Sequence, residues 1–181
     1  MTTETNSAAV SRAGLVFTLF DANGNGVIEA DDFELLGQRV LAVSEGADEA
    51  AKDALLDSLR GWWTTLVTEL DTDGDGQVDP EEFNAIVLAP ERFGDALDAF
   101  AVALPALGDP DGDGLVERPL FVALMTAIGF AVPNIQALFD AFGPDAEDRV
   151  TTDVWAQGIR DYYAPDKVGI AGDALVGGAA A

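Results

Sequence analysis

The chain of 181 residues contains no cysteine and no histidine. Disulfides, thiol catalysis, zinc centres built on Cys or His, and triads that need an imidazole base are therefore excluded. Basic residues are scarce: 9 Lys and Arg stand against 33 Asp and Glu, for a formal net charge of −24. Such a surplus repels phosphate backbones and anionic headgroups, so neither nucleic acid nor a membrane surface is an expected partner. It attracts cations and basic proteins instead. No apolar run is long enough for a bilayer span. The opening MTTETNSAAV has neither a basic start nor an apolar stretch, so no secretory leader is expected and the cytoplasm is the default compartment. Apolar residues, at 49%, are plentiful enough for a sizeable core. The length suits one compact domain or two small packed lobes.

Aspartate is concentrated in three windows of twelve residues. Residues 71–82 read DTDGDGQVDPEE and satisfy the pattern D-x-[DN]-x-[DN]-G-x5-E at every defined position, with Asp71, Asp73, Asp75, Gly76 and Glu82. This spacing wraps oxygens around one hard cation. Asp71, Asp73 and Asp75 offer side-chain oxygens from alternate positions, and Gln77 offers its backbone carbonyl. Asp79 contributes directly or through water, and Glu82 closes the shell with two oxygens. Gly76 permits the sharp bend between the two halves.

Residues 21–32, DANGNGVIEADD, repeat the pattern with Asp21, Asn23, Asn25, Gly26, Val27 as carbonyl donor, and Glu29. Asp32 replaces the closing Glu. One methylene fewer makes bidentate reach harder, which weakens calcium binding and relatively favours magnesium. Residues 109–120, DPDGDGLVERPL, keep Asp109, Asp111, Asp113 and Gly114 but close on Leu120, which has no oxygen. Asp109, Asp111, Asp113, the Leu115 carbonyl and Glu117 form a weaker candidate set, and a retired site kept as a pair-mate is the preferred reading. A fourth repeat emerges only on alignment. In residues 143–154, Gly143, Asp148 and Val154 stand where Asp, Gly and Glu are required, so no metal is expected there. Asp140 or Asp153 would be the substitutes.

The flanks agree with four repeated units. Each loop has a branched apolar residue at its eighth position (Ile28, Val78, Val116, Val150), suited to pairing as a short antiparallel ribbon. Helical apolar spacing leads into each loop: Leu15, Val16, Leu19 and Phe20; Leu59, Trp62, Trp63, Leu66, Val67 and Leu70; Phe93, Leu97, Phe100, Ala101 and Leu104; Ile135, Leu138, Phe139 and Phe142. Phe33, Phe83, Phe121 and Trp155 open the next helices. Helix stops are expected at Pro90, at Gly129, and at Pro165 after Tyr163. The stretch from about Ser44 to Arg60 reads as a lengthened helix entering the second loop. Trp62, Trp63, Tyr162 and Tyr163 read as packing residues. For the Gly- and Ala-rich tail, a mobile end and a fold back over an apolar groove are both open. Mobility is preferred for the last six residues.

Four helix–loop–helix units, a long first connection, an Asp-closed first loop and a degraded later pair resemble the calerythrin and sarcoplasmic calcium-binding protein family over about residues 10–165. The resemblance implies an all-α globule of four EF-hand units in two packed pairs with short loop–loop β ribbons. It implies an N-terminal pair over 10–90, a C-terminal pair over 91–165 and a tail over 166–181. By the same likeness, Asp21, Asn23, Asn25, Val27, Glu29 and Asp32, and Asp71, Asp73, Asp75, Gln77, Asp79 and Glu82, carry over as ligands. The chain departs from such relatives in having its best loop second and its damaged loops in the C-terminal half.

The expected function is calcium binding, as an intracellular calcium buffer or transport protein and a monomer. The alternative is a calcium-responsive sensor or adaptor that holds a protein partner in an apolar groove. Such sensors expose Met-rich grooves, whereas this chain has only Met1 and Met125. No enzyme is expected, because the usual acid–base residue is missing and no nucleophile motif is visible.

Overall fold

The computed structural model describes Ser11 and residues 14–87, 94–162 and 170–177. The expected stops at Pro90 and Pro165, and Tyr163, lie outside them. Helix α1 (14–20) ends at the first loop, and α2 (Ala30–Ala42) leaves it. A turn follows, then α3 (Glu49–Leu70), the second loop, and α4 (Pro80–Val87). The second half repeats the plan with α5 (Gly94–Leu107), β1 (Leu115–Glu117), α6 (Arg118–Ile128), α7 (Val132–Ala141), β2 (Arg149–Thr151) and α8 (Thr152–Tyr162). A 3-10 turn (Ala171–Asp173) and the short α9 (Ala174–Gly177) complete the described chain.

The long entering helix is present but starts later than the composition suggested. Asp48 accepts a hydrogen bond from the Ala51 amide and caps α3, so Ser44–Asp48 is turn rather than helix. At the other expected stop, Gly129 has φ of 122°, which ends α6 and lets Leu19 pack close to its Cα.

The eighth-position residues pair as expected. Ile28 and Val78 exchange backbone hydrogen bonds of 2.9 and 3.0 Å as an isolated antiparallel bridge. In the second half the pairing extends to three residues, with Val116 opposite Val150. All four are buried, as are Phe33, Phe83, Phe121 and Trp155 at the helix starts. Buried residues from Val16 to Leu175 form a single apolar cluster. Both halves contribute to it: α3 packs on α5, α2 on α6 and α5 on α8. Trp62 joins them through an edge contact with Phe20 at 5.9 Å and a tilted one with Phe100 at 6.1 Å. Trp62 and Tyr162 are core residues, and Trp63 is half-buried against Phe33.

The tail folds back over residues 170–177. Leu175 is 6% exposed, its carbonyl accepts from Asn134 Nδ2 at 3.0 Å, and Gly172 lies against Tyr162. Of the last six residues, Val176 and Gly177 belong to α9, and 178–181 lie outside the described residues.

Candidate metal centre

Each loop is organised by an aspartate that collects backbone amides. Asp71 Oδ1 accepts from the Gly74 and Asp75 amides at 2.7 and 3.0 Å, and Oδ2 accepts from Gly76 at 2.9 Å. Asp21 makes the same three bonds to Gly24, Asn25 and Gly26. These bends need left-handed backbone, supplied in the second loop by Gly74 (φ 74°) and Gly76 (φ 79°). The Gly76 amide is the first cause that holds the Asp71 carboxyl below its ordinary range, ahead of the opposing effect of desolvation.

In the second loop, carboxylate oxygens of Asp71, Asp73 and Glu82 lie within 4.8 Å of one another. Glu82 Oε1 accepts from the Thr72 amide and hydroxyl at 3.0 and 2.9 Å, and Oε2 accepts from the Asp79 amide at 3.1 Å. Thr72, which no ligand pattern singles out, thus aims the closing carboxylate. Asp75 Oδ1 accepts from the Gln77 amide, and Asp79 Oδ1 caps α4 through the Glu82 amide. The Asp75 amide draws the Asp73 carboxyl down, but desolvation and the nearby Asp75 and Glu82 charges outweigh it and raise the pKa. Part of that rise comes from like charges that a divalent cation would neutralise, and the donor set fits a hard ion.

The first loop closes differently. Asp32 is 0% exposed, with Oδ1 accepting from the Asn23 amide at 3.1 Å and Oδ2 from the Glu29 amide at 2.8 Å. Burial is the main cause that raises its pKa, against the pull of these two amides. Asn25 Nδ2 holds Glu29 Oε2 at 2.8 Å, and Gln77 Nε2 reaches across from the second loop to Glu29 Oε1 at 2.8 Å. Val27 sits beside the bridge at Ile28, its amide bound to Asn25 Oδ1.

The third loop keeps half of this arrangement. Asp109 accepts from the Asp113 and Gly114 amides at 3.0 and 2.9 Å, and oxygens of Asp109, Asp111 and Asp113 lie within 4.8 Å of one another. Leu115 and Glu117 lie on β1, and Leu120, partly buried against the core, borders the same hollow as Asp111 and Asp113 without offering an oxygen.

The fourth loop is filled by the chain itself. Asp145 replaces the missing first-position acid as amide collector, accepting from Glu147 and Arg149 at 2.9 and 3.0 Å. Asp148 adopts φ of 64° where glycine would be expected. Arg149 pairs with Asp145 at 3.1 Å and with Glu147. Arg118, from the third loop, reaches Asp148 at 2.7 Å, Asp140 at 2.6 Å and Gln136 at 2.7 Å, with its guanidinium 4.4 Å from the Phe139 ring centre. Hydrogen bonds from Arg118 hold the Asp148 carboxyl below its usual range. Asp145 is lowered as well, because the Arg149 contacts outweigh desolvation. Asp140 is thus committed to an arginine, and two guanidinium groups stand among the acids of the fourth loop. Two arginines in loops without a full ligand set are the signal that points to this arrangement.

The EF-hand family model matches residues 15–36 and 68–88, the helix–loop–helix stretches around the first two loops. Calerythrin from Saccharopolyspora erythraea is 25% identical over 166 residues, spanning 88% of this chain and 94% of that protein. A calcium-binding protein from Streptomyces coelicolor is 26% identical, with a TM-score of 0.70 over 86% of this chain and 98% of the other. The amphioxus sarcoplasmic calcium-binding protein shares the fold at 20% identity, with a TM-score of 0.66 over 95% and 97% of the two chains. Two stretches of the chain thus match the EF-hand model, and over most of its length the chain resembles calerythrin and the sarcoplasmic calcium-binding proteins.

Proposed function

We propose that this EF-hand protein binds calcium at two sites and acts as an intracellular buffer or transport protein. The first site is built from Asp21, Asn23, Asn25, Glu29, Asp32 and the Val27 carbonyl. The second is built from Asp71, Asp73, Asp75, Asp79, Glu82 and the Gln77 carbonyl. The observation that carries the reading is the convergence of Asp71, Asp73 and Glu82 on one small volume, with no ion pair to any of them among the described residues. Two unit charges about 4 Å apart repel by roughly 4 kcal/mol at an effective dielectric near 20. A divalent ion turns that repulsion into attraction. The shorter Asp32 makes magnesium the competitor at the first site. The third loop, with three acids but no closing carboxylate, is the weaker candidate.

The working unit is the N-terminal pair, residues 10–90. The C-terminal pair, residues 91–165, and the tail, residues 166–181, serve as its structural support. The protein acts as a cytoplasmic monomer. Calorimetric titration with calcium, with and without magnesium, tests the assignment. Two sites are expected, and a chain that takes up no calcium overturns it.

A second reading has one observation in its favour. An apolar cavity lies between the halves, bordered by Phe20, Phe100, Met125, Trp155, Tyr162 and the tail residue Leu175. A sensor would uncover such a surface to a protein partner when calcium binds. A hydrophobic dye separates the two: a buffer shows little calcium-dependent change once folded, and a sensor shows a large one.

A further inference from the structure

The ribbon register places the seventh residue of one loop opposite the ninth of its partner. In the C-terminal pair Leu115 faces Thr151, and Glu117 faces Arg149. In the N-terminal pair, with Ile28 opposite Val78, the same register brings Gln77 beside Glu29. Here the side chains meet. Gln77 Nε2 donates to Glu29 Oε1 at 2.8 Å in a part-buried bond between residues 48 positions apart. Asn25 Nδ2 takes the other oxygen, also at 2.8 Å. Both oxygens of Glu29 are therefore held, one from each loop.

We infer that Gln77 is a positioning residue for the neighbouring loop: its side chain orients Glu29 in loop 21–32, while its own carbonyl serves loop 71–82. The inference rests on the reading of both loops as cation sites. Loop 21–32 is poor in charge, because two of its ligand positions are Asn23 and Asn25. Its carboxylates at ligand positions are Asp21, Glu29 and Asp32, so fixing Glu29 matters more here than fixing any single acid would in loop 71–82. An unheld glutamate would lose rotamer freedom on binding, and Gln77 removes part of that cost beforehand. The same bond links the two sites, since the carbonyl and the amide belong to one residue.

The test is calcium titration of the full chain by calorimetry. Loop 21–32 is read alone in a Glu82→Gln background. There, Gln77→Met keeps the bulk, removes the donor, and lowers calcium affinity by about tenfold, the worth of one hydrogen bond to a carboxylate. With Glu29→Ala added, the same Gln77→Met change has no further effect. Equal losses with and without Glu29, or no loss at all, overturn the inference while leaving the two-site reading intact. A parent chain that binds no calcium overturns that reading, and the inference with it.

Discussion

The two loop pairs share one backbone plan and solve its charge problem in opposite ways. In both, acids converge next to a short antiparallel pairing. In the N-terminal pair no ion pair reaches a loop carboxylate among the described residues, and the acids are held by backbone amides and by the neutral side chains of Asn25, Gln77 and Thr72. In the C-terminal pair, Arg149 sits on Asp145 and Glu147, and Arg118 sits on Asp148 and Asp140. A guanidinium is always charged and presents a fixed fork of donors, so it can replace a soluble cation permanently. The difference teaches that a degenerate loop is not simply a damaged one. The fourth loop is one whose cation has become covalent, and its order no longer depends on what is dissolved around it.

The largest effect is expected from calcium itself. At about a hundred times the dissociation constant, each occupied site adds roughly 2.7 kcal/mol. For a domain of this size, two sites raise the melting temperature by about 10–20 °C over the chelated protein. Glu82→Gln removes the closing carboxylate of the better loop and lowers its affinity by about two decades, the scale on which ligand charge tunes such sites. Calorimetry then counts one strong site instead of two.

Breaking the other half acts on a different observable. Arg118→Met lowers the melting temperature of the chelated protein by about 2–6 °C, because Asp140, Asp148 and Gln136 lose a shared partner. The calcium site count stays at two. If that count falls, the halves are not separable in the way described. The acid limb of the same variant sharpens the point. Asp148 has its pKa depressed by Arg118. Its contribution is therefore fully present above the ordinary carboxylate range near 4 and is lost as pH falls through the lower folded value. The gap in stability between parent and Arg118→Met is flat at neutral pH and narrows in acid. A gap that widens in acid contradicts the pairing. The smallest effect belongs to Asp109→Ala, which leaves the site count at two.

Much of this plan could be read from spacing. The ligand offsets in 21–32 and 71–82, the branched eighth residues and the aromatic helix starts all follow from one repeat rule. They report positions that the fold must treat alike. The start of α3 was less legible, because helix-forming composition runs on through Ser44–Asp48 while Asp48 caps the helix. Leu175 was hidden in a Gly- and Ala-rich tail whose composition argues for mobility. The contacts of Arg118 with Asp148, and of Gln77 with Glu29, join different loops. A pattern that reads one loop at a time has no term for them. Thr72 escaped for a related reason: it aims a ligand without being one.

Hydrogen exchange of single amides, with and without calcium, tests the contrast between the halves most directly. In chelator, the Ile28 and Val78 amides that close the N-terminal bridge should exchange quickly. The Thr152 amide, bonded to Gly114 across the C-terminal ribbon at 3.0 Å, should stay protected. Calcium should slow the first two and leave the third unchanged. Equal protection at both ribbons in chelator, or a calcium effect confined to the C-terminal one, would contradict the division of labour between dissolved and built-in cations.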